Sequence, residues 1–108
     1  MLIVLLRFSS NKGQGSRFMQ SHTQWIKRGF DDGEFLLAGS LQPSLGGGIL
    51  AHNTSLSNLQ SRVDDDPFVA ERIVNAEILE IIPSESDERL RFLGGEQPFQ
   101  SPRAANSL

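Results

Sequence analysis

His22 is the residue whose type and spacing point most directly to chemistry. It lies one helical turn from both Phe18 and Ile26, so a helix through this segment places it on the apolar face. A polar ring is costly there unless it has a partner. Because an imidazole changes charge near neutral pH, it can exchange a proton with a small substrate. His22 is therefore either a catalytic acid/base or a core histidine with a satisfied hydrogen bond.

The carboxylate expected to meet His22 is Asp66. It precedes Pro67, and an Asp-Pro pair typically caps a helix and begins its first turn. A carboxylate has several lone pairs, so capping leaves room for a bond from His22. A role as a helix cap alone stays open. Asp64 and Asp65 are expected to be solvated surface residues.

Further candidates for substrate binding surround this pair. Arg7 interrupts an apolar strand and could either bind an anionic substrate or pair with an acidic neighbour. Trp25 is most simply a core residue, and a pocket wall is its second interpretation. His52, at a strand end, could line the same cavity or lie at the surface. The residues assigned to substrate binding are Arg7, Trp25, Ser40 and Phe68.

Several other kinds of site find no support in the residues. The glycines at 46–48 lack the Lys-Ser/Thr of a phosphate-binding loop and precede a strand, so they indicate a turn or close packing. The two histidines show no metal-ligand spacing, and no nucleophile signature is present. We expect no metal and no cofactor.

Composition indicates one globular domain without a nucleic-acid partner. The chain has 108 residues, 38% hydrophobic and 21% charged, with a formal net charge of -3. Its basic residues form no stripe that could neutralise phosphates. It has no cysteine, and its apolar start is too short to span a bilayer and lacks the features of a secretory signal. We expect a cytoplasmic protein that does not bind membranes.

The apolar pattern predicts the order βαββαβ. Strands are expected at 2–8, 35–41, 49–52 and 75–82, and a long helix is expected to be capped by Ser16 and stopped by Gly33. A second helix follows Thr54 or Ser55 and runs into a third at Asp66. Two right-handed crossovers then give a ferredoxin-like α+β fold, a four-stranded antiparallel sheet with its helices on one face.

The other sheet face needs a cover, and the strands are apolar on both faces. A second copy of the chain is the expected cover, so we predict a homodimer or a higher homo-oligomer. The predicted domain spans 1–83, and 84–108 is a polar C-terminal tail expected to dock on a partner subunit. Its apolar anchors would be Leu90, Phe92, Leu93 and Phe99.

Read together in order, these motifs resemble the YCII-related (YciI-like) family. They are His22 followed by Trp25, the LLAG segment after Phe35, the glycine run, and Asp66-Pro67-Phe68. The resemblance covers roughly residues 1–82. It implies a dimeric α/β barrel, with a histidine from the first helix and an aspartate from the Asp-Pro motif in the active site. The family includes a dehydrochlorinase of chlorinated hydroxyhydroquinone. The long tail departs from the family's short ending.

The sequence supports three functional hypotheses. The first is a cofactor-independent enzyme of lyase or isomerase type that acts on a small cyclic or aromatic oxygenated metabolite, with His22 as acid/base and Asp66 as its orienting partner. The second is a non-catalytic dimeric domain that binds a small molecule or serves as an accessory. The third is a purely structural dimer.

Overall fold

The structure is a computed structural model that describes residues 1–94. Its main elements follow the predicted order βαββαβ. The strands are β1 (Leu2–Phe8), β2 (Phe35–Leu41), β3 (Gly46–Ala51) and β4 (Val74–Glu80), and the helices are α1 (Gly15–Asp31), α2 (Leu56–Asp64) and the single turn α3 (Pro67–Ala70). Short 3-10 segments occupy Lys12–Gln14 and Glu88–Gly94.

The four strands form one sheet in the order β2-β3-β1-β4, and every neighbouring pair is antiparallel. The ferredoxin-like α+β fold is therefore confirmed. Among the described residues no helix is long and apolar enough to cross a membrane.

The helices cover one face of the sheet and form the core there. Val4 and Ile49, which pair across β1 and β3, are buried in one cluster with Trp25 of α1 and Leu59 of α2. Because side chains alternate along a strand, the residues between them point to the other face. The core therefore lies entirely between the sheet and its helices.

The other face of the sheet carries an apolar row that crosses all four strands. The strand register places Leu37, Leu50, Ile3 and Leu79 side by side, in that order. Leu37 is 55% exposed and Leu79 is 44% exposed. No described element of the chain packs over this row, which we call the uncovered row.

Helix α1 begins earlier than the sequence predicted but ends where expected. It starts at Gly15 after Gln14, so Ser16 lies inside the helix and the predicted Ser16 cap is wrong. Gly33 has φ +77° and its N-H donates to the carbonyl of Phe30 at 3.0 Å, a glycine-dependent helix stop. Helix α2 has the predicted cap, because Ser55 accepts the N-H of Asn58 at 3.1 Å.

The glycine run was predicted as a turn or a close-packing device. The turn is wrong, whereas close packing holds at Gly46, where a Cβ would overlap the carbonyl of Leu6. Gly46, Gly47 and Gly48 form the first half of β3 and pair with both β1 and β2. The β2–β3 turn comes before them. Three glycines weaken a strand pattern because they bring no side chain to either face, which is why periodicity missed this part of β3.

Part of the C-terminal segment contacts the domain's own surface. Leu90 and Leu93 line a groove with Ile81, Ile82 and Pro83, and the ring of Phe92 stands edge-on to His52 with centroids 5.7 Å apart. Leu90 and Phe92 remain about half exposed. The fourth predicted anchor, Phe99, lies outside the described residues.

Candidate active site

His22 and Asp66 meet across the interior of the domain. His22 Nδ1 lies 2.7 Å from Asp66 Oδ1, although the two residues are 44 positions apart in sequence. The Asp66 side chain is fully buried, and the His22 side chain is 13% exposed. The contact expected from the sequence therefore exists, and His22 reaches the surface of a cavity.

The local sequence explains how Asp66 is held. It is the N-cap of α3, with Pro67 in the first turn, and its Oδ1 accepts the N-H of Phe68 at 3.1 Å. The same oxygen faces His22, so Asp66 is both a cap and the histidine's partner. Its second oxygen, Oδ2, is buried and has no hydrogen-bond partner among the described residues.

The hydrogen bonds fix the tautomer of His22. Asp66 Oδ1 is an acceptor, so Nδ1 must be the nitrogen that carries the hydrogen in the neutral ring. Nε2 is then the ring nitrogen with a free lone pair. Since His22 lines the cavity described below, Nε2 is the atom through which it can accept a proton from a ligand.

Phe68 holds the imidazole from its face. The two rings are stacked with centroids 3.9 Å apart and an interplanar angle of 3°. Their planes are thus parallel, and the carboxylate of Asp66 contacts the edge of the imidazole at Nδ1. These two contacts restrain both the tilt and the rotation of the imidazole, which is the preorganisation that proton transfer needs.

A partly open cavity of about 470 Å³ lies between α1 and the sheet, beside His22. This volume falls within the range of roughly 300–1,000 Å³ typical of small-molecule sites. Its lining is mostly apolar and combines residues of α1, α3 and all four strands. The polar side chains among the lining residues are His22, Thr23 and Ser40.

The cavity contains some predicted binding residues and leaves out others. Ser40 and Phe68 line it. Trp25 does not: it is 1% exposed, and its indole N-H donates to the carbonyl of Arg62 at 2.9 Å. Arg7 does not line it either, because its guanidinium pairs with Glu77 at 2.7 Å on the uncovered side of the sheet.

These departures have simple causes. Trp25 lies about 60° around α1 from His22, because three residues turn a helix through about 300°. Its ring packs into the core against Phe35 and the end of α2, whereas His22 faces the cavity. Arg7 follows Leu6 in β1, and neighbouring residues of a strand point to opposite faces. His52 lies beside Phe92 at the far end of the sheet and lines a separate pocket.

Sequence reasoning missed other lining residues, among them Met19 and Thr23 of α1 and the glycines of β3. The signal for Met19 was its spacing, because it lies one turn before His22 and Thr23. The described residues hold no cluster of three or more side chains suited to a metal ion.

A charged cluster beside the core fastens α2 to the start of β2. Arg62 Nε lies 3.0 Å from Glu34 Oε1, and Arg62 Nη2 lies 2.5 Å from Asp32 Oδ2. The hydrogen bond to Asp32, with smaller contributions from the charges of both carboxylates, raises the pKa of Arg62. The end of α2 that leads into Asp66 is thereby held in place.

Comparison with known proteins gives a structural likeness. No protein-family model matches the chain, and no curated protein matches it in sequence. A similar solved structure is 5-chloro-2-hydroxyhydroquinone dehydrochlorinase (TftG) from Burkholderia phenoliruptrix AC1100, in complex with 2,5-dihydroxybenzoquinone. The TM-score is 0.61 at 13% identity, covering 75% of this chain and 93% of that chain. This neighbour is of the dimeric α/β barrel type, and at such low identity the likeness shows the fold alone.

Proposed function

We propose that this chain is an enzyme that moves a proton on a small cyclic or aromatic oxygenated metabolite, with His22 as the acid/base and Asp66 as its orienting partner. The observation that carries the proposal is the 2.7 Å contact between His22 Nδ1 and a fully buried carboxylate, at the wall of a cavity of about 470 Å³. A histidine that only stabilised the core would have no need to border such a cavity.

The proposed proton transfer follows from the hydrogen bonds of the pair. Nε2 takes a proton from the ligand, and the positive charge that forms on the imidazole then lies beside the negative charge of Asp66. Because Asp66 is buried, little water screens this attraction. The imidazole holds the proton for a time, and Nε2 then returns it to another atom of the ligand or to solvent. This cycle requires no cofactor.

The substrate class rests on the lining and on the structural neighbour. The cavity walls are mostly apolar with a few hydroxyl groups, as expected for an oxygenated ring. The neighbour's bound quinone is a ring of this kind. We extend the proposal to a lyase or isomerase reaction, with loss of hydrogen chloride as one form, and to membership of the YCII-related family, whose histidine and aspartate correspond to His22 and Asp66.

The proposal also includes assembly and location. The uncovered row is apolar and crosses the whole sheet, which supports packing against a second copy in a homodimer. Docking of the tail on a partner subunit stays a prediction. A cytoplasmic location also stays a prediction and could be checked by fractionating cells that express the tagged chain.

The test is His22→Asn. The asparagine amide keeps an N-H donor near the position of Nδ1 but has no nitrogen that can take a proton. We expect turnover to fall by about 10²-fold or more while the chain stays folded. Turnover is measured on hydroxylated, quinone-like and lactone rings, beginning with 5-chloro-2-hydroxyhydroquinone, and circular dichroism checks the fold.

The matched control is His52→Asn, which changes the chain's other histidine outside the cavity. Its turnover should equal that of the parent chain. If folded His22→Asn turned over the substrate as fast as the parent, proton transfer through His22 would be excluded. The chain would then be better described as a non-catalytic binding domain.

A further inference from the structure

One row of the sheet, with small residues at three of its four positions, contributes to the floor of the cavity. The register aligns Ser40, Gly47, Leu6 and Ala76 across the four strands. Paired residues point to the same face of a sheet, and Leu6 and Ser40 both line the cavity. A side chain at position 47 would therefore point into the cavity, between Ser40 and Leu6.

Gly47 is a glycine that the backbone itself does not require. Its φ is not in the positive region, and a Cβ built there would meet the carbonyl oxygen of Gly39 at 3.4 Å and no other atom within 4 Å. Gly46 differs, because it has φ +137° and a Cβ would overlap the carbonyl of Leu6. Gly48 also differs, because its Cβ would face the uncovered side, 3.2 Å from Leu41.

A glycine inside a strand costs stability compared with a residue that has a side chain to pack. The backbone at position 47 does not require glycine, so backbone geometry does not explain this loss of stability. We attribute the glycine to the space that it leaves above the strand. Without a Cβ, the flat peptide surface of β3 is open to the cavity, and a planar group can approach it closely.

The charges around the cavity restrict the ligand further. None of the lining residues in the described part of the chain is Lys, Arg, Asp or Glu. The buried carboxylate of Asp66 lies behind His22 and adds a negative charge near the site. A ligand with its own carboxylate would lose its hydration without gaining a cationic partner, which is costly.

We infer that Gly47 determines specificity in this cavity, and that the ligand is a flat, uncharged ring lying on Gly47 with a hydroxyl group directed at His22. The Ser40 hydroxyl, in the same row, is placed to bind a second oxygen of the ring. This inference rests on the proposed function for the kind of ligand. It adds that Gly47 selects the shape of the ligand and that charged ligands are excluded.

The experiment is an NMR titration of backbone amides with hydroquinone, using the parent chain, Gly47→Ala, Gly47→Val and Gly13→Ala. Gly13→Ala is the matched control: it adds the same methyl group in the 3-10 segment Lys12–Gln14, and nothing lies within 4 Å of its Cβ position. Gly13 does not line the cavity.

We expect hydroquinone to bind the parent chain and Gly13→Ala with affinities within about twofold of each other. Gly47→Ala should weaken binding at least about tenfold, and Gly47→Val should weaken it more, because each fills the space that the ring needs. In the parent chain, 4-hydroxybenzoate should bind at least about tenfold more weakly than hydroquinone.

The outcomes separate this inference from the proposed function. Equal hydroquinone affinity in the parent and in folded Gly47→Ala would overturn the role of Gly47, whatever His22→Asn shows about turnover. Equal affinity for 4-hydroxybenzoate would overturn the exclusion of charge. If binding depends on Gly47 but turnover does not depend on His22, the proposed proton transfer fails and the inference stands. If hydroquinone does not bind the parent chain, the inference fails, whereas the proposed function is still decided by the turnover of His22→Asn. Should Gly47→Val not fold, Gly47→Ala decides.

Discussion

The two faces of the sheet carry similar apolar residues in very different surroundings. On the helix-covered face Val4 and Ile49 are 0% and 2% exposed, whereas on the other face Leu37 is 55% exposed and Leu79 is 44% exposed. A sheet that faces water on one side normally alternates apolar and polar residues. Here the uncovered row is apolar on all four strands, although Arg7, Asn75 and Glu77 make one end of the same face polar. The apolar part of this face therefore has the composition of a buried surface.

The covered face is itself divided into a packed region and a hollow region. Trp25 packs at the centre of the core, edge-on to Phe35 with ring centroids 5.3 Å apart. His22, three residues earlier on α1, borders the cavity instead. The sheet therefore borders three environments: a packed region and a hollow region on its covered face, and solvent on its uncovered face. Substitutions in them should differ strongly in their effect on the free energy of unfolding.

The largest loss is expected in the packed region, from Trp25→Ala. The substitution removes a large buried ring and leaves the carbonyl of Arg62 without its N-H donor. Removal of a buried Trp typically costs about 3–5 kcal/mol. Urea denaturation should show a loss of this size, while Gln24→Ala, at an exposed site next to it on α1, should change stability by less than about 0.5 kcal/mol. A loss under about 1 kcal/mol would mean that this region is not tightly packed.

An intermediate loss is expected behind the cavity, at Asp66. Asp66→Ala removes the cap of α3 and the acceptor for His22, and should lower the free energy of unfolding by about 2 kcal/mol. Asp66→Asn keeps an oxygen that can accept both hydrogen bonds, so its loss should be smaller. It removes the negative charge, however, and should reduce turnover more than it reduces stability. Denaturation and turnover are measured on the same samples.

The control for this pair is Asp65→Asn, an exposed carboxylate directly before Asp66. It should leave both stability and turnover unchanged. Turnover of Asp66→Asn equal to that of the parent would show that the carboxylate serves only as a cap, which is the alternative that the sequence left open.

Most of the fold could be predicted from the sequence because its signals are local. Strand β1 is a continuous apolar run bounded by polar residues, and Gly33 and Ser55 mark helix ends through their own backbone or side-chain chemistry. The start of α1 was misplaced because Gly15 and Gln14 carry no such signal. The beginning of β3 was misplaced because glycine has no side chain that could show alternation.

The candidate site could be predicted only in part. His22 on an apolar face and Asp66 before a proline are each anomalous in their own segments, so their meeting could be anticipated. The cavity could not be, because it is lined by residues from separate elements that come together only in the folded chain. Whether Arg7 and Trp25 reach it depends on strand face and helix rotation, and a shift of one residue in either reverses the answer.

The smallest effect on monomer stability, but a large effect on assembly, is expected on the uncovered row. Leu37→Lys and Leu79→Lys place charges at its two ends, in strands β2 and β4 at opposite edges of the sheet. Each should change the free energy of unfolding, measured at concentrations where the chain is monomeric, by less than about 0.5 kcal/mol, because these side chains are already half exposed. Burying a lysine against a second apolar sheet would be costly, so the double variant should not dimerise.

Light scattering at micromolar concentration distinguishes a dimer from a monomer. The parent chain should show twice its mass of 11.9 kDa, and the double variant should show that mass once. Leu56→Lys is the matched control, because this leucine is 51% exposed but lies on α2, so the dimer should persist. A parent chain that is monomeric under these conditions would show that the uncovered row does not bind a second copy, and its apolar composition would need another explanation.

The same measurement tests the tail. A chain ending at Pro83 should associate more weakly if the tail contributes to the contact between the two copies.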